Sequence, residues 1–296
     1  MAEAEIPVDL LNPGQVFACL GLMEAAETLC GPCEGGFIYS GAETLARFRW
    51  RVEGDDDPVR HAVAFLAQAD SRAIVPKGAD LSTKKWDVET SQTEETYPAP
   101  APETPATLAV VLTDGDRQIP IEYWLDGPHN GRDNVKFWAG SGGYPGAALA
   151  RDGLKMVAAL GANRIADAAA NPFAFAAPMS SSFRFDWRRD YVPLDAGFSL
   201  NEHGTMTTIG YPLVELLAAI GLQNARPERP DRRDKLLYRY AIAGGGAVLP
   251  TALARAVLGG ATFGFPLRKF RMRLDWPGQE GQARCIVETR EEENLR

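Results

Sequence analysis

Residues 180–201, SSSFRFDWRRDYVPLDAGFSLN, mix rings and charges closely enough to suggest a binding chemistry. On an extended strand the period of two puts Phe183, Phe185 and Trp187 on one face, with Arg184 and Asp186 on the other. Arg188 and Arg189 follow directly. Aromatic residues interleaved with arginine suit single-stranded nucleic acid, because bases stack on rings while guanidinium groups meet phosphates. The alternative is a half-buried strand whose arginines pair with Asp186 and Asp190. Two other segments alternate in the same way. In ARFRWRV, Arg47, Arg49 and Arg51 share one face; in KFRMRLDW, Lys269, Arg271 and Arg273 do. Same-face residues of a strand lie roughly 6.6–6.8 Å apart, close to nucleic-acid phosphate spacing. Here the alternative is a solvated sheet face with its charges paired across strands.

The loop Ala139-Gly140-Ser141-Gly142-Gly143 lies between an expected strand and an expected helix. It admits three readings. A tight turn needing positive φ is one. A phosphate nest formed by the N–H groups of Gly140, Ser141, Gly142 and Gly143 is the second. The third is a nucleophile elbow on Ser141, since Ser141, then Asp186, Asp190 or Asp195, then His203 follows the chain order of α/β-hydrolases. Against that third reading, the preceding strand carries Lys136 where a buried parallel strand would be apolar, and no His-Gly-Gly-Gly loop is present. His61, His129 and His203 have no metal-ligand spacing, and there is neither a Walker loop nor a GxGxxG after a strand. Cys30-Gly31-Pro32-Cys33 has thioredoxin-like spacing, but it follows a helical pattern, and a helix C-terminus disfavours a thiolate. It reads as a helix-ending turn. The expectation is a protein without catalytic residues, cofactor or metal.

These residues need elements to position them. Asn12-Pro13 starts a helix whose apolar residues Val16, Phe17, Leu20, Met23, Ala26 and Leu29 recur at three and four. The alternating strand 46–52, a turn at 53–58 and a short helix over 59–69 come next. From Lys77 to Pro105 no apolar period is visible, which predicts a disordered or variable insertion. Strands are expected at 108–112 and 119–125 about Asp114-Gly115-Asp116, and again at 134–138. Helical stretches follow at 147–170, broken near Gly161, and at 212–222, opened by Pro212. A turn at Pro193, Asp195 and Gly197 separates the central stretch from that second helix. A strand at 238–242, a helix at 249–258, the strand at 269–276, a turn at 277–281 and a strand at 283–288 complete the chain. Helix, double glycine and aromatic-basic strand thus occur near both ends. The fold expected is α+β, antiparallel sheets with flanking helices, with two halves that could be duplicated ferredoxin-like units. The domain reading is 1–76, an insertion at 77–106, and 107–296 forming one fold with the first part.

Composition sets the outer limits. The chain has 296 residues, 45% hydrophobic and 24% charged, ordinary for a globular protein with a sizeable core. No apolar run approaches the roughly 20 residues of a membrane span, and no signal peptide is evident, so a cytoplasmic location is expected. The net charge of −8 is unevenly spread. Residues 151–296 hold 20 Lys+Arg and 16 Asp+Glu, or +4, which leaves 11 and 23, or −12, for residues 1–150. Free, non-specific binding to DNA is disfavoured, but a basic face in the second half is allowed.

Several phrases together resemble one family: VDLLNPGQVFACLGLMEAAETLCG with the following GGF, then KFWAG, SSSFRFDWRRDYVPLDAGFS, YPLVELLAAIGL and RKFRMRL. They are similar to CRISPR-associated proteins of type I-U (I-G) systems, the third Csb family, placed with the Cas-eight-like subunits. The resemblance runs nearly end to end. It implies a non-catalytic component of an RNA-guided interference complex in antiviral defence, with guide RNA or target DNA and other Cas subunits, including a helicase-nuclease, as partners. It brings no catalytic motif to map. The matching positions suited to nucleic-acid contact are Lys136, Arg184, Arg188, Arg189, Arg268, Lys269, Arg271 and Arg273. In such complexes guide pairing reads sequence while protein holds backbones. The acidic net charge departs from that pattern and leaves room for an accessory that docks on the helicase-nuclease without touching nucleic acid. A serine hydrolase using Ser141 is the remote third reading.

Overall fold

Pro13 opens helix α1 (Pro13–Leu29), which carries apolar or small residues on nearly every side, so it can be stable only if covered all round. The computed structural model describes residues 1–54, 57–93, 105, 108–121, 145–179, 181–189, 208–231, 233–275 and 284–292, and in it every residue of α1 from Pro13 to Ala26 is buried. Against it lies α5 (Pro212–Gly221), buried along its whole length. The two helices cross backbone to backbone. A Cβ on Gly21 would stand 1.8 Å from Leu217 O, and one on Gly221 would stand 2.1 Å from Phe17 O. Glycine is required at this crossing by the approach itself.

Three sheets surround the pair. In the first, β1 (Ala2–Asp9) and β2 (Cys33–Ile38) flank β3 (Leu45–Val52), which is antiparallel to both. With α1 between β1 and β2, this is a split βαβ unit. Phe48, Trp50 and Val52 of β3 are buried, as its alternation predicts. Helix α2 (Pro58–Gln68), capped by Asp57 on the N–H groups of Val59 and Arg60, leads into the second sheet. There β4 (Asp70–Pro76) pairs in parallel with β5 (Glu89–Thr93) and antiparallel with β6 (Ala109–Asp114), which turns at Gly115 into β7 (Arg117–Ile121). Helices α3 (Gly146–Ala158) and α4 (Gly161–Ala170) meet at Gly161, whose φ of +66° breaks the helical run where the sequence places the break. A short pair, β8 (Ala177–Pro178) and β9 (Ile209–Gly210), precedes α5.

The third sheet has β12 (Leu267–Asp275) between β10 (Leu237–Ala243) and β13 (Cys285–Glu291). Its inner aromatic residues close the core on α1. Tyr240 stacks on Phe270 at 5.2 Å, meets Phe17 edge-on at 5.6 Å and donates its hydroxyl to Leu10 O at 2.6 Å. Between β10 and β12, the two-residue strand β11 (Leu249–Pro250) joins the edge of the first sheet and leads into α6 (Thr251–Leu258). Arg255 of α6 reaches back to Glu24, a buried carboxylate of α1, at 2.6 Å. One core cluster includes buried residues from Ile6 to Ile286.

The α+β reading holds, with three differences of detail. Residues 77–93, expected in the insertion, are ordered: β5 pairs with β4, and Thr83 donates to Val88 O at 2.6 Å. An edge strand held by backbone bonds needs no apolar period, which is why its sequence is silent. The second half does not repeat the split βαβ unit. In that unit the outer strand β2 precedes the central β3, whereas α6 leads straight to the central β12 and the outer β13 follows it. Third, residues 181–189 form no strand, and the reason lies in the chemistry of Asp186.

Candidate nucleic-acid interface

The central stretch packs inward as a buried polar hub. Phe183 and Phe185 are buried and so offer no face for a base to stack on, whereas Trp187 is 40% exposed and Asp186 is fully buried. Arg184 adopts φ +67°, a left-handed conformation that interrupts the alternation. A strand would aim Asp186 at solvent; the interior instead offers it donors. Asn12 Nδ2 reaches Asp186 Oδ1 at 2.9 Å, and the Arg188 N–H and Nε reach the same oxygen at 3.0 and 2.9 Å. Asn12 therefore does not cap α1 with its side chain. Gly14 lets the helix start approach this segment, since a Cβ there would lie 2.6 Å from Phe185 O.

On the other side of the segment, Glu215 in the first turn of α5 accepts the N–H groups of Phe185 and Asp186 at 3.0 and 3.2 Å. Burial, aided by the charge of Asp186 and opposed by these two bonds, pushes Glu215 up to about 7. Arg188 lies 3.6 Å over the Tyr211 ring and donates to Phe173 O at 2.8 Å. Burial pulls its pKa down, but the bonds and charge of Asp186 outweigh that and leave it raised. Arg189 is buried and donates to Ser182, Met179 O and Thr208. Two of the three arginines expected to meet phosphates therefore hold the hub together. The pairing of Arg188 with Asp186 is the alternative weighed from sequence.

The arginine row of β3 is also answered from within. Glu5 of β1 pairs with Arg47 and, at 3.0 Å, with Arg49; Glu3 lies 3.2 Å from both Arg49 and Arg51; Glu34 of β2 lies 3.6 Å from Arg51. Hydrogen bonds from Arg49, then Arg47, hold Glu5 below its usual range despite some burial. Three cations facing three carboxylates form a ladder within the sheet.

The face of β12 is different. Arg268 is not on it: it turns inward, pairs with Glu291 at 2.7 Å, donates to Glu43 O at 2.8 Å and lies 4.4 Å over Tyr39. Lys269, Arg271 and Arg273 do share the outer face. The register adds two residues that the sequence reading missed: Arg239 of β10 and Arg290 of β13 stand directly opposite Arg271, one on each side. Three arginines thus stand opposite one another across three strands. Glu292 pairs with Arg239 at 2.9 Å and Arg271 at 2.7 Å, Glu228 lies 3.4 Å from Arg239, and Asp234 meets Arg273 at 3.0 Å. The Leu236 N–H and Arg273 hold Asp234 below its usual range. Lys269 and the exposed Arg290 have no ion pair among the described residues. α6 packs over the far end of this face, where Ala241, Ala243 and Val257 meet.

No family model, curated protein or solved structure matches this chain. Lys136, Gly140, Ser141, Gly142, Gly143, Asp190, Asp195 and His203 lie outside the described residues. The remaining acid of the hydrolase reading, Asp186, is engaged by Asn12 and Arg188. Among the described residues no cluster of three or more His, Cys, Asp or Glu side chains could hold a metal, and no helix is long and apolar enough to cross a membrane.

Proposed function

We propose that this chain is a non-catalytic, cytoplasmic subunit of a type I-U/I-G RNA-guided interference complex, holding guide RNA or target DNA by its backbone on the outer face of β10, β12 and β13. The resemblance of the quoted phrases supplies the context. The observation that carries the binding surface is the Arg239–Arg271–Arg290 row beside Lys269. Like charges set directly opposite one another across strands are destabilising; Glu292 answers Arg239 and Arg271, which leaves Arg290 and Lys269 for an external anion. Phosphates from a nucleic-acid strand match that requirement in charge, and such contacts hold a backbone without reading sequence.

The test is co-purification of the tagged chain, expressed with its neighbouring genes and a repeat array. Wild type should elute with guide RNA and the other subunits after a salt wash, whereas Lys269→Glu/Arg290→Glu should lose the nucleic acid at lower salt. Equal retention by both proteins would reject the surface. A second reading, an accessory docking on the helicase-nuclease, draws on the loop after α6. There Phe263 stacks on Phe265 at 5.4 Å and remains 37% exposed. It is favoured if the double variant still elutes with the subunits and neither protein brings RNA.

A further inference from the structure

The turn after α1 holds a side-chain pair that the sequence does not disclose. Cys30 ends α1, His61 lies in α2, and Cys30 Sγ stands 3.3 Å from His61 Nδ1, both residues being half-buried. A thiol at a helix C-terminus is ordinarily inert because the dipole opposes its ionisation. A ring nitrogen in hydrogen-bond reach supplies the base that this position lacks. Three residues on, Cys33 is buried, with Sγ 3.3 Å from Met23 O and 3.2 Å from the hydroxyl of Thr251, the first residue of α6. Burial, partly offset by the Thr251 bond, pushes the Cys33 thiol up to about 11. Gly31, at φ +129°, lets the intervening turn take a shape that other residues rarely adopt.

We propose that Cys30 is a hydroperoxide-reactive thiol activated by His61, with Cys33 as its resolving partner. His61 Nδ1 takes the Cys30 proton, and the sulfur attacks one peroxide oxygen. The O–O bond breaks, the leaving alkoxide takes the proton to become an alcohol, and Cys30 is left as a sulfenic acid. Cys33 then attacks the Cys30 sulfur, and its proton departs with the hydroxyl as water. Two thiols lose two electrons and two protons, and the hydroperoxide becomes alcohol and water. The new disulfide draws Cys33 Sγ off Met23 O and Thr251, loosening the start of α6 where β11 joins the first sheet.

The experiment treats the full chain with tert-butyl hydroperoxide and maps the cysteines by differential alkylation and mass spectrometry. Cys19 and Cys285 are both buried and serve as internal references. The expected product is a Cys30–Cys33 disulfide, with faster amide exchange over 251–258. Cys33→Ser should trap a sulfenic acid on Cys30, captured by dimedone, and His61→Gln should slow Cys30 oxidation by about tenfold or more. Equal oxidation of all four cysteines, or an unchanged rate in a folded His61→Gln protein, would overturn the role of the pair. Sulfenic acid persisting on Cys30 in wild type would overturn the role of Cys33. Cys30→Ala provides a second check: it should leave Cys33 unreactive, and oxidation of Cys33 in that variant would also count against the proposal.

Discussion

Gly21 and Gly221 lie at the crossing of α1 and α5, each so close to the other helix's backbone that a methyl group has no place to go. The helices touch through main chain, with Leu217 O 1.8 Å and Phe17 O 2.1 Å from where the added Cβ atoms would sit. Helix propensity alone says that alanine should stabilise either position by about 1 kcal/mol. Packing says the reverse, because backbone cannot yield as a flexible side chain can. Overpacking a rigid core costs about 1–3 kcal/mol. Gly21→Ala is therefore expected to lower the urea midpoint despite the better helix former. A raised midpoint would mean that the helices stand farther apart than described.

Glu215 gives stability an unusual pH dependence. Its folded pKa of about 7 lies above the ordinary value of 4.5. Between those values the folded protein keeps a proton that the unfolded chain releases. This group's contribution is therefore complete below about pH 4.5, falls as pH rises, and is lost above about 7. By linkage the swing is about 3 kcal/mol. Glu215→Gln keeps one acceptor for the Phe185 and Asp186 N–H groups but cannot ionise. Its deficit against wild type should be largest near pH 5 and smallest near pH 8 in urea melts. Parallel curves across that range would refute the assignment.

What could be read in advance followed the local rules. The buried helices at 13–29 and 212–221, the break at Gly161 and the strands around Phe48 and Phe270 follow from periodicity, proline and glycine, which act within a few residues. The central stretch misled because its alternation is real but its partners are remote. Asn12 and Glu215 lie 174 and 29 residues from Asp186, and they decide which way it points. Arg239 and Arg290 escaped notice for the same reason, since cross-strand register is not written in either strand alone. His61 beside Cys30 is a third case, made by a helix packing 31 residues away.

Arg188 should behave as a structural residue. Its partner Asp186 is fully buried, and deleting one member of such a pair strands the other charge. Arg188→Ala is expected to cost about 3 kcal/mol in equilibrium unfolding and to change nucleic-acid affinity only in proportion to the unfolded fraction. A variant that melts like wild type yet loses RNA would return the central stretch to the binding surface.

The two arginine faces make the sharpest contrast. Arg47, Arg49 and Arg51 are exposed by 40–54% and paired with Glu3, Glu5 and Glu34, an arrangement worth about 1 kcal/mol or less per pair. On the other face, Lys269 and Arg290 offer charge that no carboxylate among the described residues takes up. Binding of a labelled single strand, measured from low to moderate salt, reports how many phosphates are neutralised, at roughly 0.7 in slope for each. Lys269→Ala/Arg290→Ala should reduce that slope by about 1.4, two contacts' worth. Arg49→Ala should leave it unchanged. If the losses are reversed, nucleic acid displaces the glutamates of β1 and the first sheet is the binding face.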